Sequence, residues 1–293
     1  ASAITFESSF GSTGTGNGEF QNPEGITTDS NDNLYVVDPG RDDVQVFDSS
    51  GNFLDSFGST GTGNGQFQNP FGITTDSNDN LYVTDFSRDD VQVFDSSGNF
   101  QFSFGSNGTG NGEFQFPVGI TTDSNDNLYV TDSGRDDVQV FDSSGNFLDN
   151  FGSTGTGNGE FQFPVRITTD SNDNLYVTDS GRDDVQVFDS SGNFLDSFGS
   201  TGTGNGQFQN PFGITTDSND NLYVADFGRD DVQVFDSSGN FLDSFGSTGT
   251  GNGQFQNPFG ITTDSNDNLY VADRSRDDVQ VFSQDTKAVP FET

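Results

Sequence analysis

The chain has 293 residues and a formal net charge of −37; of its 46 acidic residues only six are Glu, and nine residues are basic. Such a surface repels phosphate backbones and anionic lipid headgroups, which excludes nucleic acid as a partner and argues against membrane attachment. His, Cys, Met and Trp are absent, which removes His-based proton transfer, Ser–His–Asp triads, His- or Cys-ligated zinc and disulfides.

In chain order, Ile4–Phe10 reads first as a strand, with Phe6 and Phe10 one period ahead of Phe53 and Phe57. Gly25–Asp29 is a short β-prone run and Asp29–Asn33 a turn cluster. Leu34–Asp38 is a second strand, rich in β-branched and aromatic residues. Pro39–Asp42 is a loop, Val44–Phe47 a third strand, and Asp48–Asn52 a hairpin turn with Gly at a convenient place for positive φ. Phe53–Phe57 is a fourth strand, and a Gly/Thr/Asn-rich connection runs from Gly58 to Pro70. No stretch has helical periodicity, nor is any apolar run long enough to span a membrane.

This unit recurs. ITTDSNDNLYV begins at Ile26, Ile73, Ile120, Ile167, Ile214 and Ile261, every 47 residues, and RDDVQVF follows in each copy. An apolar content of 28% at this charge would suggest disorder, but 33 Phe recur at fixed intervals, and each ring buries about 150–250 Å². Four short antiparallel strands repeated six times predict an all-β, six-bladed β-propeller in one domain, 1–293. A solenoid would need distinct polar caps, and the terminal units have none. The last unit lacks a fourth strand after Phe282. Residues 1–10 are therefore expected to supply it and close the ring, 11–282 to form the repeats, and 283–293 to be a tail. Exchange of the closing strand between chains is the alternative.

The pattern P-x-G-I-T-T-D-S-N-D-N-L-Y-V-x-D followed by V-Q-V-F-D-S-S-G-N-F-L-D-S-F-G resembles the NHL repeat over residues 4–282, and NHL repeats commonly form six-bladed propellers. A WD-repeat reading fails for want of Trp. Where NHL members often carry Asn-x-Arg, every copy here has Arg-Asp-Asp, beginning with Arg41-Asp42-Asp43. The resemblance therefore does not carry over the RNA-binding basic face of some relatives. The metal-binding His of the related amidating lyases is also missing. What the resemblance implies is a fold and a habit of binding partners.

Differences between copies concentrate in the connection into the first strand and in the end of the second strand with its loop. Both are expected on one rim, the top face. Position 24 of the unit runs Glu24, Phe71, Val118, Val165, Phe212, Phe259; position 39 runs Pro39, Phe86, Ser133, Ser180, Phe227, Arg274. Position 22 is Phe only at Phe116 and Phe163, and Arg166 stands where the other units have Gly. The expected partner-binding set is Phe71, Phe86, Phe212, Phe227, Phe259, Val118, Val165, Glu24, Arg166 and Arg274, with units three and four the less aromatic side. The alternative is that these side chains plug the central channel. Arg-Asp-Asp is expected to make an inter-blade ion-pair ring. Asp29, Asn31 and Asn33, with their repeat equivalents, are weak calcium candidates beside a simple turn, since the loop lacks the Gly and Glu of a calcium loop. No other cofactor or metal is expected. Asn107-Gly108-Thr109 is a lone glycosylation sequon.

These features predict a non-enzymatic binding or structural propeller, extracellular or at the cell surface. It would engage a protein, a glycan or its own copies through the aromatic face. The alternative is an enzyme or small-molecule binder using Glu24 and Arg166 in a central pocket.

Overall fold

The computed structural model describes residues 3–285. Its strands form six four-stranded antiparallel sheets around one axis, and there is no helix among the described residues. The all-β, six-bladed reading holds.

Blade two shows how the sequence makes a blade. Its strands are Pro70–Thr75, Leu81–Asp85, Asp90–Phe94 and Phe100–Phe104, from the axis outward. The first turn is written by Asp76, whose carboxylate accepts the N–H groups of Asn78 and Asn80 at 2.9 Å. The second is written the same way by Asp95, which accepts from Ser97 and Asn99. Short polar side chains favour such turns because they bond to backbone two and four residues on. Gly98 has φ +77°, and a Cβ there would lie 2.7 Å from the Phe57 ring of the preceding blade, so only Gly fits.

The core lies between blades. Tyr35, Val37 and Val44 of blade one pack with Phe67, Ile73, Leu81, Val83 and Phe94 of unit two. Because a neighbour covers each face, the middle strands are buried along their whole length, polar residues included. The outer strands are half-buried at their terminal Phe residues and largely exposed between them, with Leu54 53% exposed. One polar residue sits inside each third strand. Gln45 is fully buried yet satisfied, accepting from Gly18 N–H at 2.8 Å and donating to Glu19 O at 2.6 Å. It ties the Gly-rich connection to the blade.

Two rings of hydrogen bonds link neighbouring blades around the whole circle. Each Thr at position 28 donates its hydroxyl to the backbone carbonyl of its counterpart one blade back, and Thr28 to Thr263 closes that ring at 3.0 Å. Each Ser at position 30 bonds through N–H and hydroxyl to the Asp32-type carboxylate of the next blade, and Ser265 to Asp32 closes the second ring.

The N-terminal strand Ala3–Phe10 pairs antiparallel with Asp278–Asp285 as the outermost strand of blade six, with Phe6 opposite Phe282 and Phe10 opposite Val279. Blade six's third strand thus runs on to Asp285, into the segment read as tail, because the eight-residue closing strand gives it a partner that far. The rest of that segment, 286–293, lies outside the described residues, as do residues 1 and 2.

Candidate functional site

The two variable segments meet on one rim. Glu24 N–H donates to Val37 O at 2.9 Å, and Phe86 N–H to Asn69 O at 3.0 Å, so the entry into each inner strand lies beside the loop after the second strand. Position 24 then converges on the axis. Phe71 and Phe212, from opposite blades, have ring centroids 6.4 Å apart, and Phe212 lies 4.2 Å from Phe259. Loop aromatics continue the line outward: Phe227 meets Phe259 edge-on at 5.1 Å, Phe86 meets Phe71 at 5.7 Å, and Phe86 stacks on Phe116 at 4.7 Å. Six rings therefore form one band across the mouth, from Phe116 through Phe86, Phe71, Phe212 and Phe259 to Phe227.

This placement corrects part of the expected contact crown. Val118, Val165, Phe259 and Glu24 are buried, and Phe71 and Phe212 half-buried, because side chains from six blades converge at the axis and cover one another. They form a plug. The exposed rings are Phe116 (46%) and Phe163 (42%), while Phe86 and Phe227 are half-buried like Phe71 and Phe212. Units three and four are thus not the less aromatic side, since position 22 supplies their rings. The signal for Phe116 and Phe163 was their replacement of Asn in those two copies alone. Three further residues went unnoticed in the sequence. The Thr84 and Thr131 hydroxyls, each beside its own Gly, donate to the position-24 carbonyls of the next blade, Val118 O and Val165 O, and Thr178 donates to Phe212 O.

Three singular charges sit in this apolar plug. Arg166 of blade four extends across the channel. Its guanidinium donates to Val118 O at 3.1 Å and to Phe71 O at 3.2 Å, and lies 5.4 and 5.5 Å from the Phe71 and Phe212 rings. The neighbouring glycines make room, since a Cβ on Gly119 would stand 2.8 Å from Arg166 Cα. Burial pulls the Arg166 pKa down to about 10, opposed by the charge of Glu24. Glu24 has no solvent exposure, and neither carboxylate oxygen has a hydrogen-bond partner. Its direct counter-charge is Arg274, whose Nε lies 3.3 Å from Oε1 in an ion pair without hydrogen-bond geometry. Burial pushes Glu24 up to about 7 against the pull of Arg166 and Arg274. Arg274 also lies 5.1 Å over the Phe259 ring. It relates to Glu24 as Phe227 relates to Phe259: position 39 of one unit reaches position 24 of the next.

Below the plug the channel holds a cavity of about 50 Å³, lined by the six isoleucines that begin the repeat motif, by glycines and by Arg166. That is room for one or two waters, a water occupying about 30 Å³. Glu24 does not line it, so the pair expected to share a central pocket does not share one.

The Arg-Asp-Asp expectation is corrected as well. Arg41 pairs within its own blade, with Asp43 at 2.9 Å, and also donates to Gly16 O. Asp42 makes the inter-blade link instead, accepting from the Thr60 hydroxyl at 2.7 Å. The Arg is held by a partner two residues away, and the left-handed Asp42 (φ 55°) turns its carboxylate outward to the next connection. The Asp29 carboxylate is occupied by Asn31, Asn33 and Tyr35 of its own turn. No group of three or more acidic side chains is placed to hold a metal among the described residues. Asn107 takes the place of Thr60 and donates to Asp89 at 2.7 Å.

A family model described as 6-bladed beta-propeller matches residues 19–88, 74–130, 119–177, 165–232 and 215–289. The chain belongs to this six-bladed beta-propeller family. No curated protein sequence matches it. Among solved structures it is similar to virginiamycin B lyase from Staphylococcus aureus, with 15% identity, TM-score 0.66, and 96% of this chain and 99% of that one covered. It is also similar to a gluconolactonase from Xanthomonas campestris, with 16% identity, TM-score 0.69, and 90% and 86% covered. A third similar structure is a chain of a nidogen/laminin complex, with 21% identity, TM-score 0.61, and 76% and 79% covered. At these identities the likeness is one of fold. It nevertheless corrects the expectation of a chain that is not an enzyme, because the same fold carries a lyase and a gluconolactonase.

Proposed function

We propose that this member of the six-bladed propeller family is a recognition module, its repeats of NHL type, that docks a protein partner on its top face. The observation that carries the reading is the continuous band of six rings across the mouth, exposed at Phe116 and half-buried at Phe86, Phe71, Phe212 and Phe227. Rigid aromatic side chains supply large contact area at little entropic cost and dominate interface energetics. The net charge of −37 favours a partner with basic groups around an apolar centre. The solved nidogen/laminin complex, of related fold, is in keeping with a protein partner. An extracellular or cell-surface setting belongs to the same proposal, on the strength of the Asp-rich, Lys-poor composition.

The test replaces Phe86 by Ser and Phe116 by Asn, residues that other units carry at those positions. Peptides selected by display on the wild-type protein should lose at least tenfold in affinity for the double variant, while its melting transition stays cooperative. Equal affinity for both proteins would sink the reading. Selection of glycans, or self-association lost in the same variant, would move the partner to another class.

A further inference from the structure

We propose that the mouth contains a guanidinium site, built by Glu24 and Phe259, in which Arg274 is a resident placeholder that a partner's arginine displaces. The carrier of that arginine rests on the docking face proposed above; the site itself does not.

The argument starts from Glu24. It is the single acid at position 24 among six units, in a place otherwise filled by Phe or Val. Its carboxylate is wholly buried, with both oxygens unpartnered. A buried carboxylate left so is costly, and two parallel N–H bonds from one guanidinium are its best complement. Arg274 stops short of that arrangement, at 3.3 Å from one oxygen through Nε. Arg166 does not supply it: its two terminal nitrogens bond Val118 O and Phe71 O rather than Glu24.

Arg274 covers the carboxylate from outside. Its side chain is 42% exposed against none for Glu24, and it lies on the Phe259 face at 5.1 Å. The space it fills therefore has a carboxylate at its end, an aromatic wall and a way out to solvent. Planar cations are recognised by this combination. A free guanidinium in the same space is not restrained by a backbone and can turn both donors of one edge towards Glu24. The surroundings favour it further, since a net charge of −37 concentrates cations at the surface.

Trimming Arg274 to Ser, the residue of units three and four, vacates the space without altering Phe86 or Phe116. Methylguanidinium, titrated calorimetrically, should bind this variant saturably and one-to-one, at least tenfold more tightly than it binds the wild type. In the wild type it competes with a tethered group at an effective concentration on the order of mM, so saturation should come only at higher ligand. Adding Glu24→Gln should abolish binding. Four results would overturn the proposal: no saturable binding to Arg274→Ser, tetramethylammonium binding equally well, binding that survives Glu24→Gln, or no displacement in the wild type up to about 100 mM against that competing concentration. If Arg274→Ser fails to fold, Arg274→Pro, as at Pro39, takes its place. Collapse of both variants would make Arg274 a structural counter-ion and also overturn it. Because no peptide is used, this titration can succeed where display selection fails, and the reverse.

Discussion

Phe71 and Phe212 come from opposite blades of the ring, yet their centroids are 6.4 Å apart, with the Arg166 guanidinium within 5.5 Å of both. The axis of this propeller is therefore closed at one end by rings and a buried cation. Glu24 answers that cation from the blade opposite Arg166. Burial outweighs the attraction between the two, so the Glu24 carboxyl is held towards its neutral form.

Replacing Arg166 by Gly, as in the other five units, leaves Glu24 with Arg274 alone. Removing one partner of a buried pair costs about 3–5 kcal/mol when the other must stay charged. Glu24, with a pKa already near 7, escapes part of that by taking up a proton. The expected loss is about 2 kcal/mol at pH 8 and clearly less at pH 6, since protonation removes the uncompensated charge. Denaturant melts at the two pH values check this; equal losses would mean that Glu24 does not depend on Arg166.

Stability should fall as pH rises from about 5 to 8. Burial raises Glu24 to about 7 and Asp38, Asp85, Asp184, Asp226 and Asp273 to about 6. A carboxyl whose pKa is higher folded than unfolded contributes stability that is complete below the unfolded value and is lost as pH climbs through the folded one. The turn carboxylates Asp48, Asp95, Asp142, Asp189 and Asp236 are shifted the other way by their Asn partners, and their contribution disappears only in stronger acid. Thermal melts across this range should show a midpoint highest near pH 5; a midpoint rising towards pH 8 would contradict the assignment.

Deleting residues 1–10 should cost the protein its cooperative unfolding or send it into aggregates. The deletion strips blade six of its outer strand and removes Phe6 from Phe282 and Phe10 from Phe47, contacts of 5.9 and 4.8 Å. It also leaves an unpaired strand edge. Light scattering and a calorimetric scan suffice; an unchanged monomer with an unchanged midpoint would show that the ring does not need this strand.

Raising NaCl from low concentration to 1 M should raise the melting midpoint. At −37 the surface repels itself, and screening at 1 M acts within about 3 Å. The Arg41–Asp43 type pairs, with side chains only about a tenth exposed, are screened less than the less buried turn carboxylates such as Asp48. A flat or falling midpoint would mean that those pairs outweigh the repulsion.

The sequence by itself determined the repeat, the four strands of each blade, the number of blades and the strand that closes the ring. Each depends on residues near one another in the chain, or on a period that repeats without slippage. It also located the variable rim, because framework positions stay fixed while six or so positions do not. Only the tertiary structure decided where those variable side chains go. Strand alternation could not reveal it, because the inner strands lose regular register between Pro70 and Ile73 and at the equivalent places in later blades. Above all, the distance from Phe71 to Phe212, or from Glu24 to Arg166, is not a property of any one repeat. It is fixed by closing six blades into a ring, and that closure turned an expected contact crown into a plug whose exposed rings are Phe116 and Phe163 at its rim.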